Sequence, residues 1–321
     1  MATASNRPTE NAKFRILMLH GYAQTAQTLR IKTRSLLQEL TQTLTPIIQA
    51  RYPGGIEYLF PDGPIDLDSN STSITTASTS HPTNATRLAW WLNLDDTSRY
   101  IFLNDTIHYI SDFLEGKPIH AIIGFSQGAA LAVMLAAMCE AAADPQRLQA
   151  IQTQNLPVDT FLRSLSGQQP LEFVLSFCGF RGTMEYYSSL YTPALSTPSF
   201  HAIGVFDTMI TAEESRELLE AFVAPEVRWF FGGHFVPRDA ESMRQVVGFV
   251  KRVSSESAVG DTRGLRSVLR IGSGSDSELS VGSSSRKRRR LKQVVVRARR
   301  RSPVQMAWGR RDLGVRLALA V

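Results

Sequence analysis

Short apolar runs alternate with helix-length amphipathic segments along the first 254 residues, the pattern of a parallel sheet with helices on its faces. The apolar runs predict strands at Phe14–Leu19, Ile56–Phe60, His120–Phe125, Leu171–Cys178, Phe200–Phe206 and Val227–Phe231. Apolar positions spaced three and four apart predict helices over roughly 28–45, 99–115, 127–143, 211–223 and 238–253. An α/β architecture follows: a mostly parallel, doubly wound sheet of about six strands.

Two stretches break the alternation. Residues 65–85 (IDLDSNSTSITTASTSHPTNA) are rich in Ser, Thr and Asn, which favour turns and caps, and are expected to form a long exposed loop. Residues 181–198, with three tyrosines and two prolines, read as a second irregular connection. Both follow carboxyl ends of strands, where ligand crevices of open α/β sheets lie.

After residue 254 the pattern is lost. A Ser/Gly-rich stretch leads into RKRRRLKQVVVRARRR, with no regular apolar spacing, so disorder is expected. The division is therefore a flexible 1–11, a folded 12–254 and a low-complexity basic tail 255–321. Charge sharpens it: the tail carries sixteen Lys and Arg against five Asp and Glu, a net of +11, which leaves −5 for the remainder. The 286–301 cluster suits a nuclear address or a phosphate contact, although Trp308 alone could stack on a base, so nucleic acid is a weak expectation. A tail translated across a misplaced gene boundary is the mundane alternative.

Composition narrows the class. With 43% apolar and 20% charged residues the chain is expected to be globular. Cys139 and Cys178 both lie in apolar segments and read as core residues of a reducing compartment. The N-terminus lacks the long apolar run of a secretory signal, and Ala129–Ala143 is too short to span a bilayer. A cytoplasmic or nuclear protein with no membrane span is expected.

The candidate chemistry starts at Ile122-Ile123-Gly124-Phe125-Ser126-Gln127-Gly128. A serine between two glycines, where a buried strand meets a helix, is the pattern of a nucleophile elbow. By itself the pentapeptide is as often an ordinary loop. The elbow further requires an acid and a histidine, each after a later strand, in the order Ser, Asp or Glu, His. Asp207 follows the fifth strand, and His234 follows Phe230-Phe231-Gly232-Gly233 after the sixth. His81 and His108 lie in a loop and a helix pattern, and His120 and His201 open strands at the opposite edge. Donors for an oxyanion are expected at the backbone N–H of Gln127 and, from the loop His20-Gly21-Tyr22, that of Tyr22, with His20 shaping the loop. Trp90, Trp91, Phe180 and Tyr187 are candidate substrate-lining residues, although aromatics near strand ends are as often packing.

Seven motifs in order, LMLHGYAQT (17–25), LFPDGP (59–64), AWW (89–91), GFSQGAALA (124–132), FCGFR (177–181), GVFD (204–207) and GGHFVPR (232–238), resemble the FSH family of serine hydrolases. That family groups small fungal α/β-hydrolases with an animal homologue from a tumour-suppressor locus. The resemblance covers about residues 12–253. It implies the α/β-hydrolase fold, a Ser126–Asp207–His234 triad, action on carboxylic esters or thioesters, and no cofactor or metal. Some relatives release acyl chains from polyketide synthases, so an acyl carrier or such a synthase enters as a possible partner. Two departures stand out: the 65–85 loop, and the tail beyond 254. The favoured expectation is an esterase for short to medium acyl chains working through an acyl-enzyme. A thioesterase acting on a carrier-bound acyl or polyketide chain is the alternative, and a nuclear or nucleic-acid-associated protein acting through its tail is the alternative of another class.

Overall fold

The computed structural model describes residues 11–271 except 69–85, 94–96, 166–167 and 169. The expected basic cluster at 286–301 lies outside the described residues. The elements are, in chain order, β1 Phe14–Leu19, α1 Ala26–Ile48, β2 Ile56–Leu59, β3 Ile65–Asp66, β4 Leu88–Ala89, α2 Leu103–Phe113, β5 Ala121–Phe125, α3 Gln127–Ala141 and α4 Pro145–Thr153. There follow α5 Val158–Ser164, β6 Phe173–Phe177, β7 Ser199–Gly204, α6 Ala212–Leu219, β8 Glu226–Phe230 and α7 Ala240–Ile271.

All six expected strands are present. They form one parallel sheet in the order β2-β1-β5-β6-β7-β8. Period-two alternation along β1 explains the layering: Phe14, Ile16 and Met18 pack with α1 and α7, whereas Leu17 and Leu19 enter the core on the opposite face with α2 and α3. The result is the doubly wound α/β-hydrolase fold. Helix α3 is buried on every side except at Glu140, whose carboxylate accepts hydrogen bonds from the backbone and hydroxyl of Thr197 at 2.7 Å each. Among the described residues no helix is long and apolar enough to cross a membrane.

Three boundaries differ from expectation. The supposed loop at 65–85 begins as a strand: Ile65 is buried, and β3 pairs antiparallel with β4. Two bonded residues give too short a pattern for periodicity to register. Its remainder, 69–85, lies outside the described residues. The 181–198 connection contains a 3₁₀ segment, Glu185–Leu190. Finally, α7 continues past the boundary expected at 254 to Ile271. Once 240–254 is helical, each added residue gains a hydrogen bond without the nucleation cost, and the Arg, Leu and Ser that follow tolerate it. Helices α4 and α5 were not anticipated, although Asp144 caps α4 through the N–H groups of Gln146 and Arg147, with Pro145 just inside the helix.

His120 lies at the amino edge, as expected, whereas His201, expected to open its strand, lies inside β7, which begins at Ser199; both have structural roles. The Nδ1 of His120 accepts from the Arg15 N–H at 2.9 Å and its ring stacks on Phe14, while His201 contacts the Ser199 hydroxyl at 3.0 Å and the Phe222 ring. Burial, with the Arg15 charge second, lowers the pKa of His120 to about 4, and burial lowers that of His201 to about 3. Both are therefore neutral in the folded protein and protonate near 6.5 when unfolded. A depressed folded pKa means stability that is complete above 6.5 and is lost as pH falls toward 4. At pH 5 each histidine should cost on the order of 2 kcal/mol. Urea unfolding at pH 7.5 and pH 5 should show that loss, and His201→Gln should reduce the pH sensitivity; an identical pH response in the variant would remove His201 from the account.

Candidate active site

Ser126 occupies the junction of β5 and α3 with φ +53° and ψ −121°, a conformation costly for any residue with a Cβ. The surrounding hydrogen bonds hold it there: its N–H donates to the Phe177 carbonyl at 2.9 Å, and its carbonyl accepts from Ala129 and Ala130. The two flanking glycines are explained by contact. A Cβ on Gly124 would lie 2.3 Å from the Gly128 oxygen, and one on Gly128 would lie 2.2 Å from the Leu19 oxygen. Strand, helix and the end of β1 thus meet with no room for a methyl group.

Asp207 and His234 leave the carboxyl ends of β7 and β8, and the loops that carry them are laced together. The Phe206 N–H donates to the Gly232 carbonyl at 2.9 Å, and a Cβ on Gly204 would meet the Gly233 oxygen at 2.5 Å. The three side chains meet in one chain of hydrogen bonds. His234 Nδ1 is 2.7 Å from Asp207 Oδ2, and His234 Nε2 is 2.8 Å from Ser126 Oγ. The other carboxylate oxygen of Asp207 accepts from the N–H groups of Met209 and Ile210, both at 2.9 Å. With Asp207 ionised, Nδ1 is the donor, which leaves Nε2 as an acceptor for the serine proton. The Asp207 side chain is 2% exposed and that of His234 18%, so the acid is buried behind a partly exposed imidazole.

The two segments that carry the expected oxyanion donors adjoin Ser126. The N–H of Gln127 is the first of α3, ahead of the intrahelical ladder and at the positive end of the helix dipole. The 20–22 loop packs close to Ser126: a Cβ on Gly21 would stand 3.2 Å from the Ser126 Cβ. His20 is buried and holds that loop in place. Its Nε2 accepts from the Gly63 N–H and its Nδ1 bonds the Gly21 carbonyl, both at 2.8 Å, while its own carbonyl accepts from the Trp90 indole.

The aromatic residues expected to line substrate are placed differently. Trp90 and Trp91 are 0% and 3% exposed, and Tyr187 is 2% exposed and stacked on Tyr100 at 5.2 Å. Phe180 is half-buried against the same core. Three of the four are thus core side chains rather than the wall of an open cleft. For the two tryptophans the Gln127 side chain supplies a restraint that the sequence did not reveal. Its oxygen accepts from the Trp90 N–H at 3.0 Å and its amide donates to the Trp91 carbonyl at 2.8 Å, which ties the AWW segment down onto α3.

The exposed apolar surface lies on the other rim. Of eight large apolar side chains exposed among the described residues, six (Tyr22, Val205, Phe206, Met209, Phe231 and Phe235) flank the site at the carboxyl edge. Phe231 is 87% exposed and Phe206 64%, with their rings 6.1 Å apart. Adjacency to Asp207 and His234 in GVFD and FFGGHF was the sequence signal for this rim. Cys178 is also closer than its reading as a core residue implied. It leaves β6 with φ +49°, and its thiol faces the carbonyl of Phe235 at 3.5 Å and the Asp207 carboxylate. Burial and then the Asp207 charge push the thiol up to about 12, so it is a neutral S–H.

An uncharacterized hydrolase of Schizosaccharomyces pombe is 24% identical over 76% of this chain and 52% of its own length. This chain therefore spans about half the length of that relative. Esterase OVCA2 of Danio rerio is 28% identical, over 74% of this chain and 96% of its own. Family of serine hydrolases 2 of Saccharomyces cerevisiae is also 28% identical, over 74% and 98% respectively. The family model described as serine hydrolase (FSH1) matches residues 9–246, most of the chain, which therefore belongs to that family.

Proposed function

We propose that the protein is a serine esterase in which Ser126 is the nucleophile, His234 the general base and acid, and Asp207 the group that orients His234. The observation that carries this reading is the hydrogen-bonded line from Asp207 through His234 to Ser126, at 2.7 and 2.8 Å. Ser126 Oγ attacks the ester carbonyl while Nε2 takes its proton, and the imidazolium returns that proton to the departing alkoxide. Water then attacks the acyl-enzyme, again with His234 as base. The N–H groups of Gln127 and Tyr22 stabilise the oxyanion at both tetrahedral stages.

The acyl group is assigned to the rim formed by Phe206, Met209, Phe231 and Phe235, in place of Trp90 and Trp91. Each methylene that reaches this surface gains about 0.8 kcal/mol, so kcat/KM should rise several-fold per carbon and level off at short to medium length, where the chain outgrows the rim. A series of p-nitrophenyl esters measures this, and Phe231→Ser should flatten the slope. A steady rise to palmitate that Phe231→Ser leaves unaltered would defeat the assignment.

Thioesters present the same carbonyl to the same serine. Labelling with a fluorophosphonate probe, in competition with esters and thioesters of graded acyl length, tests the reading as a whole. Labelling at Ser126 supports the nucleophile, and the stronger competitor identifies the bond cleaved.

We assign the hydrolase domain to residues 12–254, extended at its end by α7. Removing residues 272–321 should leave ester turnover and melting temperature unchanged, because the buried apolar side chains of α7 end at Val253 among the described residues. A loss of more than half the activity would give the last fifty residues a part in the fold.

A further inference from the structure

Three adjacent strands end in three potential metal donors. Cys178 follows β6, Asp207 follows β7 and His234 follows β8, and a sulfur, a carboxylate oxygen and a ring nitrogen from them all lie within 4.8 Å of one another. Among the described residues no other group of three His, Cys, Asp or Glu side chains converges in this way. Catalysis as proposed uses two of the three and leaves the thiol idle.

We infer that Cys178, Asp207 and His234 form an inhibitory site for a thiophilic divalent cation of the zinc type, which switches the esterase off reversibly. This rests on the proposed roles of Ser126 and His234. Thiolate, imidazole and carboxylate are the donors zinc prefers, at about 2.3 Å for sulfur and 2.0–2.2 Å for nitrogen and oxygen. A tetrahedral set at those lengths has donors roughly 3.3 to 3.6 Å apart. The 2.7 Å between Nδ1 and Oδ2 must open by under about 1 Å, and the sulfur, within 4.8 Å of the other two donors, must draw in by at most about 1.2 Å. One thiolate and one carboxylate neutralise the double charge, which suits a pair of side chains that are buried or nearly so.

Inhibition follows from the proton inventory. The thiol loses its proton to solvent when sulfur binds the metal. Metal at Nδ1 displaces the ring proton there, and the neutral imidazole carries its one proton on Nε2 instead. Nε2 then donates toward Ser126 and cannot accept the serine proton, so the nucleophile is no longer activated. Magnesium, which prefers oxygen donors and sheds water reluctantly, should not compete for this set.

The test uses the full chain in chelator-buffered zinc. Ester turnover should fall at micromolar free zinc, recover on adding EDTA and ignore millimolar magnesium. Cys178→Ser and Cys178→Ala should keep basal turnover in zinc-free buffer and need at least about tenfold more zinc for the same inhibition. Serine keeps the side-chain volume, so it serves as the primary variant if the alanine protein is unstable. Zinc uptake by Ser126→Ala, read by competition with a chromogenic chelator, is independent of turnover and separates failure of this site from failure of the esterase reading. Equal zinc sensitivity in wild type and Cys178→Ser, or no zinc uptake by Ser126→Ala, overturns the proposal.

Discussion

Ser126→Ala is expected to abolish fluorophosphonate labelling and to lower ester turnover by at least about three powers of ten. The size follows from what is removed. Without Oγ no acyl-enzyme can form, and the residual rate rests on the oxyanion donors and substrate binding alone. Stability should change little. Alanine keeps the Cβ, so the backbone at φ +53° is no more strained than before, and the loss is one hydrogen bond to His234, worth about 1 kcal/mol. Adding His234→Ala to Ser126→Ala should cost little further, because the base has no proton left to take. Turnover above about a thousandth of wild type in the single variant, with unchanged ester preference, would assign the nucleophile elsewhere.

The inner strands β1, β5, β6 and β7 were legible because they are buried on both faces almost throughout and read as continuous apolar runs. Each of the six strands was located to within two residues at either end, and the loops that carry Asp207 and His234 followed from the strand ends. His234 was singled out by order and place: it is downstream of both Ser126 and Asp207 and follows a strand, whereas His120 precedes its strand and His201 lies within its own.

Long-range polar pairing was not legible. Gln127 and Trp90 are 37 residues apart, and nothing in GFSQG or AWW shows that one side chain holds the other segment by both of its amide atoms. Without that restraint, two tryptophans near a strand end read equally well as pocket wall and as core. The same limit hid the thiol: Cys178 sits in an apolar run, and only the convergence of β6, β7 and β8 brings it beside Asp207. The exposed rim was overlooked for a related reason, since Phe206 and Phe231 continue their strands in sequence while leaving the sheet in space. The continuation of α7 past 254 shows a further limit, because a low-complexity composition does not by itself end a helix that packing has already begun.

A glycine of the elbow and one of α7 allow the sharpest contrast between one substitution at two sites. Gly128→Ala should destabilise the protein by upward of about 4 kcal/mol or prevent folding, because its Cβ would meet the backbone oxygens of Leu19 and His20 at 2.2 and 2.4 Å. Neither atom belongs to a flexible side chain. Relief would require α3 to withdraw from the end of β1, which would drag the Gln127 side chain from Trp90 and Trp91 and displace the nucleophile with it. Gly248→Ala, within α7, meets no atom within 4 Å and keeps helical backbone. There the methyl group only restricts the unfolded chain and improves helix propensity, a gain of about 0.5 to 1 kcal/mol. The melting temperature should therefore fall steeply for the first variant and rise by a few degrees for the second, with fluorophosphonate labelling lost only in the first. A Gly128→Ala protein as stable and as reactive as wild type would show that β1, β5 and α3 do not meet at the serine as closely as described.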